Sequence, residues 1–141
     1  MILLDTSGLF AAINPDQPEH EAARVALAAE AAPLVLSPFV LAELDYLIVT
    51  RGTVEAELAF LGEVAAGAYE IAAFDSDDVR AAAALITQYY DLGIGIADAS
   101  LVVLAARYGT DRVLTLDERH FRALRSPRGQ PFTLVPADDR R

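Results

Sequence analysis

Four acidic residues, Asp5, Glu43, Asp98 and Asp117, stand in largely apolar surroundings along the chain. Asp5 and Asp117 each close a short apolar run, Ile-Leu-Leu-Asp and Val-Leu-Thr-Leu-Asp. If those runs are parallel strands, both acids emerge at the carboxyl edge of a sheet, where open α/β sheets build their sites. Glu43 lies in the helical stretch Pro-Phe-Val-Leu-Ala-Glu-Leu-Asp-Tyr-Leu-Ile, four residues after Phe39 and four before Leu47. Its face of that helix is therefore expected to be apolar, where an uncompensated carboxylate is costly. Asp98 has Ile94, Leu101 and Val102 as helical neighbours. Taken singly, each acid has a structural explanation. The helix macrodipole favours Asp98 in a first turn, and turn acids such as Asp5 and Asp117 can cap the helix that follows. Taken together they need more, because two carboxylates 4 Å apart repel by about 4 kcal/mol at an effective dielectric of 20. A cluster of three or four calls for a cation or for raised pKa values, and the chain contains no lysine to offer. All-oxygen ligation suits magnesium or manganese, which can activate water against a phosphodiester.

The elements that must position these acids alternate between short β-branched or leucine-rich runs and longer helical patterns. Strands are expected at Ile2 to Leu4, Leu34 to Leu36, Tyr69 to Ala72, Val113 to Leu116 and near Phe132 to Val135. Helices are expected from Thr6 or Ser7 to Ile13, Glu19 to Ala31, Pro38 to Arg51, Thr53 to about Ala66, Ser76 to about Tyr90, Ile96 to Tyr108, and around Glu118 to Leu124. Ser37 before Pro38 is a cap-and-first-turn pair, and Gly52 and Gly109 are helix stops. Strands of about four residues joined by helices require crossovers, hence a parallel sheet covered on both faces. One α/β domain over 1–136 is expected, with a polar tail over 137–141.

Bulk composition agrees. The chain has 141 residues, 54% hydrophobic and 23% charged, with no cysteine. That length suits one domain, and the lack of cysteine excludes disulfides and thiolate metal sites. The N-terminus carries no basic leader and no apolar run approaches the roughly 20 residues that cross a bilayer, so a cytosolic protein is expected. A net charge of −10 opposes nucleic-acid binding in general. The cations are distributed to qualify that: all eleven are arginine, and Arg107, Arg112, Arg119, Arg122, Arg125 and Arg128 crowd one stretch. Arginine's planar fork suits phosphate, and Arg112, Arg119 and Arg122 are the candidates to flank an acidic pocket. The same arginines could instead only solvate an alanine-rich surface.

The ordered set Asp5-Thr6-Ser7, Glu43, Asp98 in Gly-Ile-Ala-Asp-Ala-Ser, and Thr115-Leu-Asp117 resembles the PIN-domain ribonucleases, and among them the VapC-type toxins of bacterial toxin–antitoxin modules. The resemblance runs from Met1 to about Val135. It implies a PIN fold, with a parallel sheet in strand order 3-2-1-4-5 between helical layers. It also implies an acidic pocket holding Mg2+ or Mn2+, and RNA cut endonucleolytically by a metal-activated water. Asp5, Glu43, Asp98 and Asp117 would bind metal and act in catalysis. Thr6, Ser7 and Thr115 would supply hydroxyls that orient carboxylates or water. A homodimer and a cognate antitoxin covering the groove beside the pocket are implied as well.

Two other acid-bearing α/β families, phosphoacceptor receivers and haloacid-dehalogenase-type phosphatases, depend on a lysine that this chain lacks. A catalytically silent PIN-fold interaction module is the alternative that stays open, and the four converging acids argue against it. Other features have plainer uses. His20 and His120 lack metal-ligand spacing, although His120 lies three residues after Asp117. Gly93-Ile-Gly95 follows a helix and reads as a turn. Asp45 and the acids from Asp75 to Asp78 read as solvated or first-turn groups; Phe39, Tyr89 and Tyr90 read as packing residues, with a groove for a partner or for base stacking as their other use.

Overall fold

The computed structural model describes residues 1–140, with the Arg140 side chain outside the description. Five strands, β1 (Ile2–Leu4), β2 (Leu34–Leu36), β3 (Glu70–Ile71), β4 (Arg112–Leu114) and β5 (Thr133–Val135), form one sheet in the order β3-β2-β1-β4-β5. Every pairing is parallel, with Leu3 opposite both Val35 and Val113, and Leu114 opposite Val135. Among the described residues seven α-helices connect and cover it: α1 (Thr6–Ile13), α2 (His20–Ala29), α3 (Pro38–Arg51), α4 (Val54–Ala65), α5 (Ser76–Gln88), α6 (Ile96–Tyr108) and α7 (Glu118–Ala123). The expected architecture and strand order are the observed ones. No helix among the described residues is long and apolar enough to cross a membrane.

The core lies where parallel sheets require it, on both faces of the central strands. Ile2, Leu3 and Leu4 have no exposed surface, and neither do Val35, Leu36, Val113, Leu114, Leu134 and Val135. Helix starts follow the local chemistry read from the chain. Ser37 accepts the Phe39 N–H at 3.2 Å ahead of Pro38, and Thr53 accepts the Ala56 N–H at 3.1 Å. Asp75 and Asp78 close a reciprocal capping box on α5. Asp78 and its neighbours are thus first-turn acids, as expected. Gly109 stops α6 at φ +66°, a backbone state that favours glycine.

Several boundaries differ from the sequence expectation by one or two residues, among them α2, which ends at Ala29, and β3, which is confined to Glu70–Ile71. Helix α5 stops at Gln88, and Tyr90–Leu92 tightens into a 3-10 turn that Gly93 ends at φ +73°. Strand β4 stops at Leu114 rather than Leu116, because side chains take over the backbone's hydrogen bonds. The Leu116 N–H donates to Ser7 Oγ at 3.0 Å, and the Asp117 N–H donates to Thr115 Oγ1 at 2.9 Å. At the C-terminus, Asp138–Arg140 forms a 3-10 turn in which Asp138 accepts from the Leu134 N–H and Arg122. Arg141, the last residue of the polar tail, lies outside the described residues.

One glycine fixes how closely α1 approaches the end of β4. A Cβ built on Gly8 would stand 2.4 Å from the Leu114 carbonyl oxygen and 2.7 Å from the Thr115 nitrogen. Both contacts are backbone, so the helix would have to move. Gly8→Ala is expected to destabilise the fold by about 1–3 kcal/mol, a Tm loss of roughly 3–10 °C. Thermal denaturation followed by circular dichroism checks this; an unchanged Tm would mean that α1 sits less tightly than described.

Candidate active site

At the carboxyl edge of the sheet, β1 releases the chain into α1 at Asp5, which is 5% exposed. Its backbone N–H still pairs with Leu114 at 3.0 Å, so the strand ladder itself sets its position. Two hydroxyls then hold its carboxylate. Thr115 Oγ1 donates to Asp5 Oδ2 at 2.7 Å and Ser7 Oγ donates to the same oxygen at 2.8 Å. Ser7 and Thr115 lie 3.3 Å from each other and, through the Leu116 and Asp117 amides, also shape the turn after β4. That turn delivers Asp117 as the cap of α7, where its Oδ1 accepts the His120 N–H at 3.0 Å.

Asp98 enters from a different layer. It stands in the first turn of α6, and a buried hydroxyl pair ties that turn to the start of α3. Ser100 Oγ donates to the Ala97 carbonyl at 2.6 Å and lies 2.7 Å from Ser37 Oγ. This fastens the helix that carries Asp98 to the helix that carries Glu43. All four acids line one cleft of about 500 Å³, together with Thr6, Ser7 and His120.

Glu43 is exposed at that cleft, and the expectation of an apolar, costly environment is corrected. The buried stripe of α3 is Val40, Leu44 and Ile48, one position beyond Phe39, Glu43 and Leu47. Phe39 and Leu47 are half-buried flanks of that stripe, and Phe39 meets Phe74 edge-on at 5.1 Å. His120 is the residue that sequence reasoning underrated. Its Nδ1 lies 3.0 Å from Asp98 Oδ2 and 3.0 Å from Asp117 Oδ2. The available signal was its offset of three from Asp117 at a helix start, which places both on one face. His20, by contrast, is structural, its Nδ1 lying 2.8 Å from the Ala11 carbonyl. Asp45, expected to be solvated, is half-buried beside Glu57; hydrogen bonding to Asp45, and then burial, pushes the Glu57 carboxyl upward.

The arginines divide. Arg112 begins β4, at the other end of the strand from the acids, where it pairs with Glu30 and, at 2.9 Å, with Asp139. The structure does not place it beside the pocket, because a strand's first residue faces the sheet edge opposite its last. Arg122 is held by Asp138 at 2.7 Å and approached by Glu118 at 3.5 Å. Arg119, exposed between Asp117 and His120 on α7, has no ion pair among the described residues.

The electrostatics show what the cleft lacks. Burial, then the Asp5 charge, pushes the Asp98 carboxyl up to about 6, with Asp117 adding to the rise and His120 pulling against it. Asp5 is raised too, by burial first and by the Asp117 charge, against the lowering effect of the Thr115 and Ser7 hydrogen bonds. Ionised carboxylates are thus disfavoured until positive charge arrives. Thr6 adds to this: it is 6% exposed, and its Oγ1 is buried without a hydrogen-bond partner. Carboxylate oxygens, an unpartnered hydroxyl and an imidazole are donors that a divalent cation accepts.

The PIN-domain family model matches residues 2–126 of this sequence. Ribonuclease VapC26 of Mycobacterium tuberculosis is 49% identical over 135 residues, spanning 96% of this chain and 100% of that protein. The crystal structure of Mycobacterium tuberculosis VapC20, a sarcin–ricin loop cleaving toxin, superposes with a TM-score of 0.77 at 20% identity. That match covers 83% of this chain and 90% of VapC20, and at such identity it is a likeness of fold.

Without metal, the raised pKa of Asp98 has a signed consequence. The folded protein holds a proton up to about pH 6, whereas an unfolded aspartate releases it near 3.8. The stability that this proton contributes is fully present below 3.8 and is lost as pH rises through about 6. In chelator-treated protein, Asp98→Asn is expected to flatten the fall in Tm over that window. Thermal melts across pH decide it, and parallel wild-type and variant curves would show that Asp98 titrates as an ordinary carboxyl.

Proposed function

This chain belongs to the PIN-domain family, and on that premise we propose that it is a Mg2+- or Mn2+-dependent endoribonuclease acting as the toxin of a type II toxin–antitoxin module. The observation that carries the reading is the gathering of Asp5, Glu43, Asp98 and Asp117 around one cleft by four separate segments of chain. Asp5, Asp98 and Asp117 would hold the cation, with Glu43 at the exposed side. A divalent cation bound there would lower the pKa of water and offset the charge developing on a phosphodiester.

The rest is done by the chain's own residues. Ser7 and Thr115 hold the Asp5 carboxylate in one orientation, so it need not reorganise when charge develops opposite it. Asp117 is fixed by its role as a cap. Glu43, on a helix and open to solvent, faces the side from which a large substrate must approach. Arg119 is the arginine left to meet a phosphate, since Arg112 and Arg122 are already engaged.

The ribonuclease relative supports RNA as the substrate, and a cytoplasmic location belongs to the same reading. A cognate antitoxin and a homodimer belong to the same reading. Beside the acid cleft, α1, α3 and α4 line an apolar groove with Phe10, Ile13, Ile48 and Phe60, with Arg51 and Glu63 also lining it. A partner segment with an apolar face fits that surface. An arginine reaching from it into the acids would make a strong charge-assisted contact.

The purified protein is expected to cleave RNA when Mg2+ or Mn2+ is supplied. Chelation or Asp98→Asn should lower the rate at least about 100-fold, the scale of losing one fixed electrostatic group. RNA left intact by folded, metal-supplied protein would favour the silent interaction module instead. Arg119→Gln should weaken RNA binding and reduce its salt slope by about 1, whereas Arg112→Gln should leave the slope unchanged. Equal slopes for wild type and Arg119→Gln would remove Arg119 from the RNA path.

A further inference from the structure

His120 brings nitrogen into a cleft whose charged side chains are carboxylates. Its position is built in. Asp117 caps α7 by accepting the His120 N–H at 3.0 Å, which brings the imidazole back over the capping carboxylate. Nδ1 then stands 3.0 Å from an oxygen of Asp98 and 3.0 Å from an oxygen of Asp117. Two ligands in adjacent octahedral positions, each roughly 2.1 Å from an ion, are about 3.0 Å apart. Donor atoms of Asp98, Asp117 and His120 all lie within 4.8 Å of one another, so a single ion can reach all three. The buried, unpartnered Oγ1 of Thr6, lining the same cleft, independently marks a missing polar partner.

We propose that His120 is a nitrogen ligand of the divalent-cation site and makes that site favour manganese over magnesium. The inference rests on the metal-dependent reading above. Magnesium takes oxygen ligands and keeps its waters, whereas imidazole suits transition ions. The carboxylates supply charge to either ion, so discrimination falls to the one nitrogen. Coordination through Nδ1 would leave the imidazole proton on Nε2, with Asp98 and Asp117 as the neighbouring anionic donors.

Manganese itself is the probe. Mn2+ is titrated into the full-length protein and followed by electron paramagnetic resonance, with pulsed measurements reading nitrogen hyperfine coupling. Mg2+ competition gives the preference. Wild type should show coupling to an imidazole nitrogen. His120→Ala should lose that coupling and bind Mn2+ about 10–100-fold more weakly, the usual cost of a lost contact around a metal. His120→Asn places an amide oxygen near the Nδ1 position, so it should retain Mg2+ binding while losing the preference for Mn2+. It also guards against a folding defect in the alanine variant. Tight Mn2+ binding without nitrogen coupling overturns the role of His120 and leaves the acidic metal site standing. No Mn2+ binding by folded wild-type protein overturns both.

Discussion

Like charges held close together govern this structure. Asp5, Asp98 and Asp117 come from a strand end, a helix start and a helix cap; the charges of Asp5 and Asp117 raise the cost of ionising Asp98, and that of Asp117 the cost of ionising Asp5. Many acids elsewhere are answered by arginine: Arg112 meets Glu30 and Asp139, Arg122 meets Asp138, and Arg24 meets Glu21, although Asp45 and Glu57 also crowd each other. In the cleft, hydroxyls and one imidazole stand where an arginine could have neutralised the acids. The fold therefore maintains an electrostatic deficit in the cleft, which is what a cation site requires.

The scaffold that maintains it is short-range and economical. Parallel pairing of β1 with β4 fixes Asp5 relative to the turn carrying Thr115 and Asp117. Gly8 lets α1 close against that turn, which puts Ser7 within reach of Thr115, Leu116 and Asp5. The buried Ser37–Ser100 pair joins the two helices that carry Glu43 and Asp98. These polar contacts explain why β4 gives up strand pairing early: its last amides serve the site instead of the sheet.

Much of this was legible in the sequence because parallel strands leave fully apolar runs and helix caps leave distinct residues. Ile2 to Leu4 and Leu34 to Leu36 emerge with the expected limits. The convergence of Asp5 and Asp117 was legible through their place after apolar strands, since residues following neighbouring parallel strands share an edge, whereas Glu43 and Asp98 joined them through the resemblance. What the sequence hid depended on direction within an element. Glu43 lies on the helical stripe next to the core stripe, a rotation of one residue that apolar neighbours cannot reveal. Arg112 precedes its strand core, so it lies at the far edge despite its closeness in number to Asp117. His120 looked isolated because its metal-compatible partners include Asp98, 22 residues away. The arginine cluster looked like a phosphate surface, yet much of it answers acids of the chain itself.

The net charge of −10 is consistent with that division. A polyanionic substrate would gain little long-range attraction and would depend on a cation in the cleft. The most direct measurement is the thermal stability of the protein as Mg2+ or Mn2+ is added, in wild type and in Asp5→Asn. Relief of carboxylate repulsion should raise the wild-type stability by about 2.7 kcal/mol at a hundredfold excess over Kd, and the gain should largely vanish in the variant. A wild-type Tm indifferent to the ion, or an equal rise in both proteins, would contradict the account.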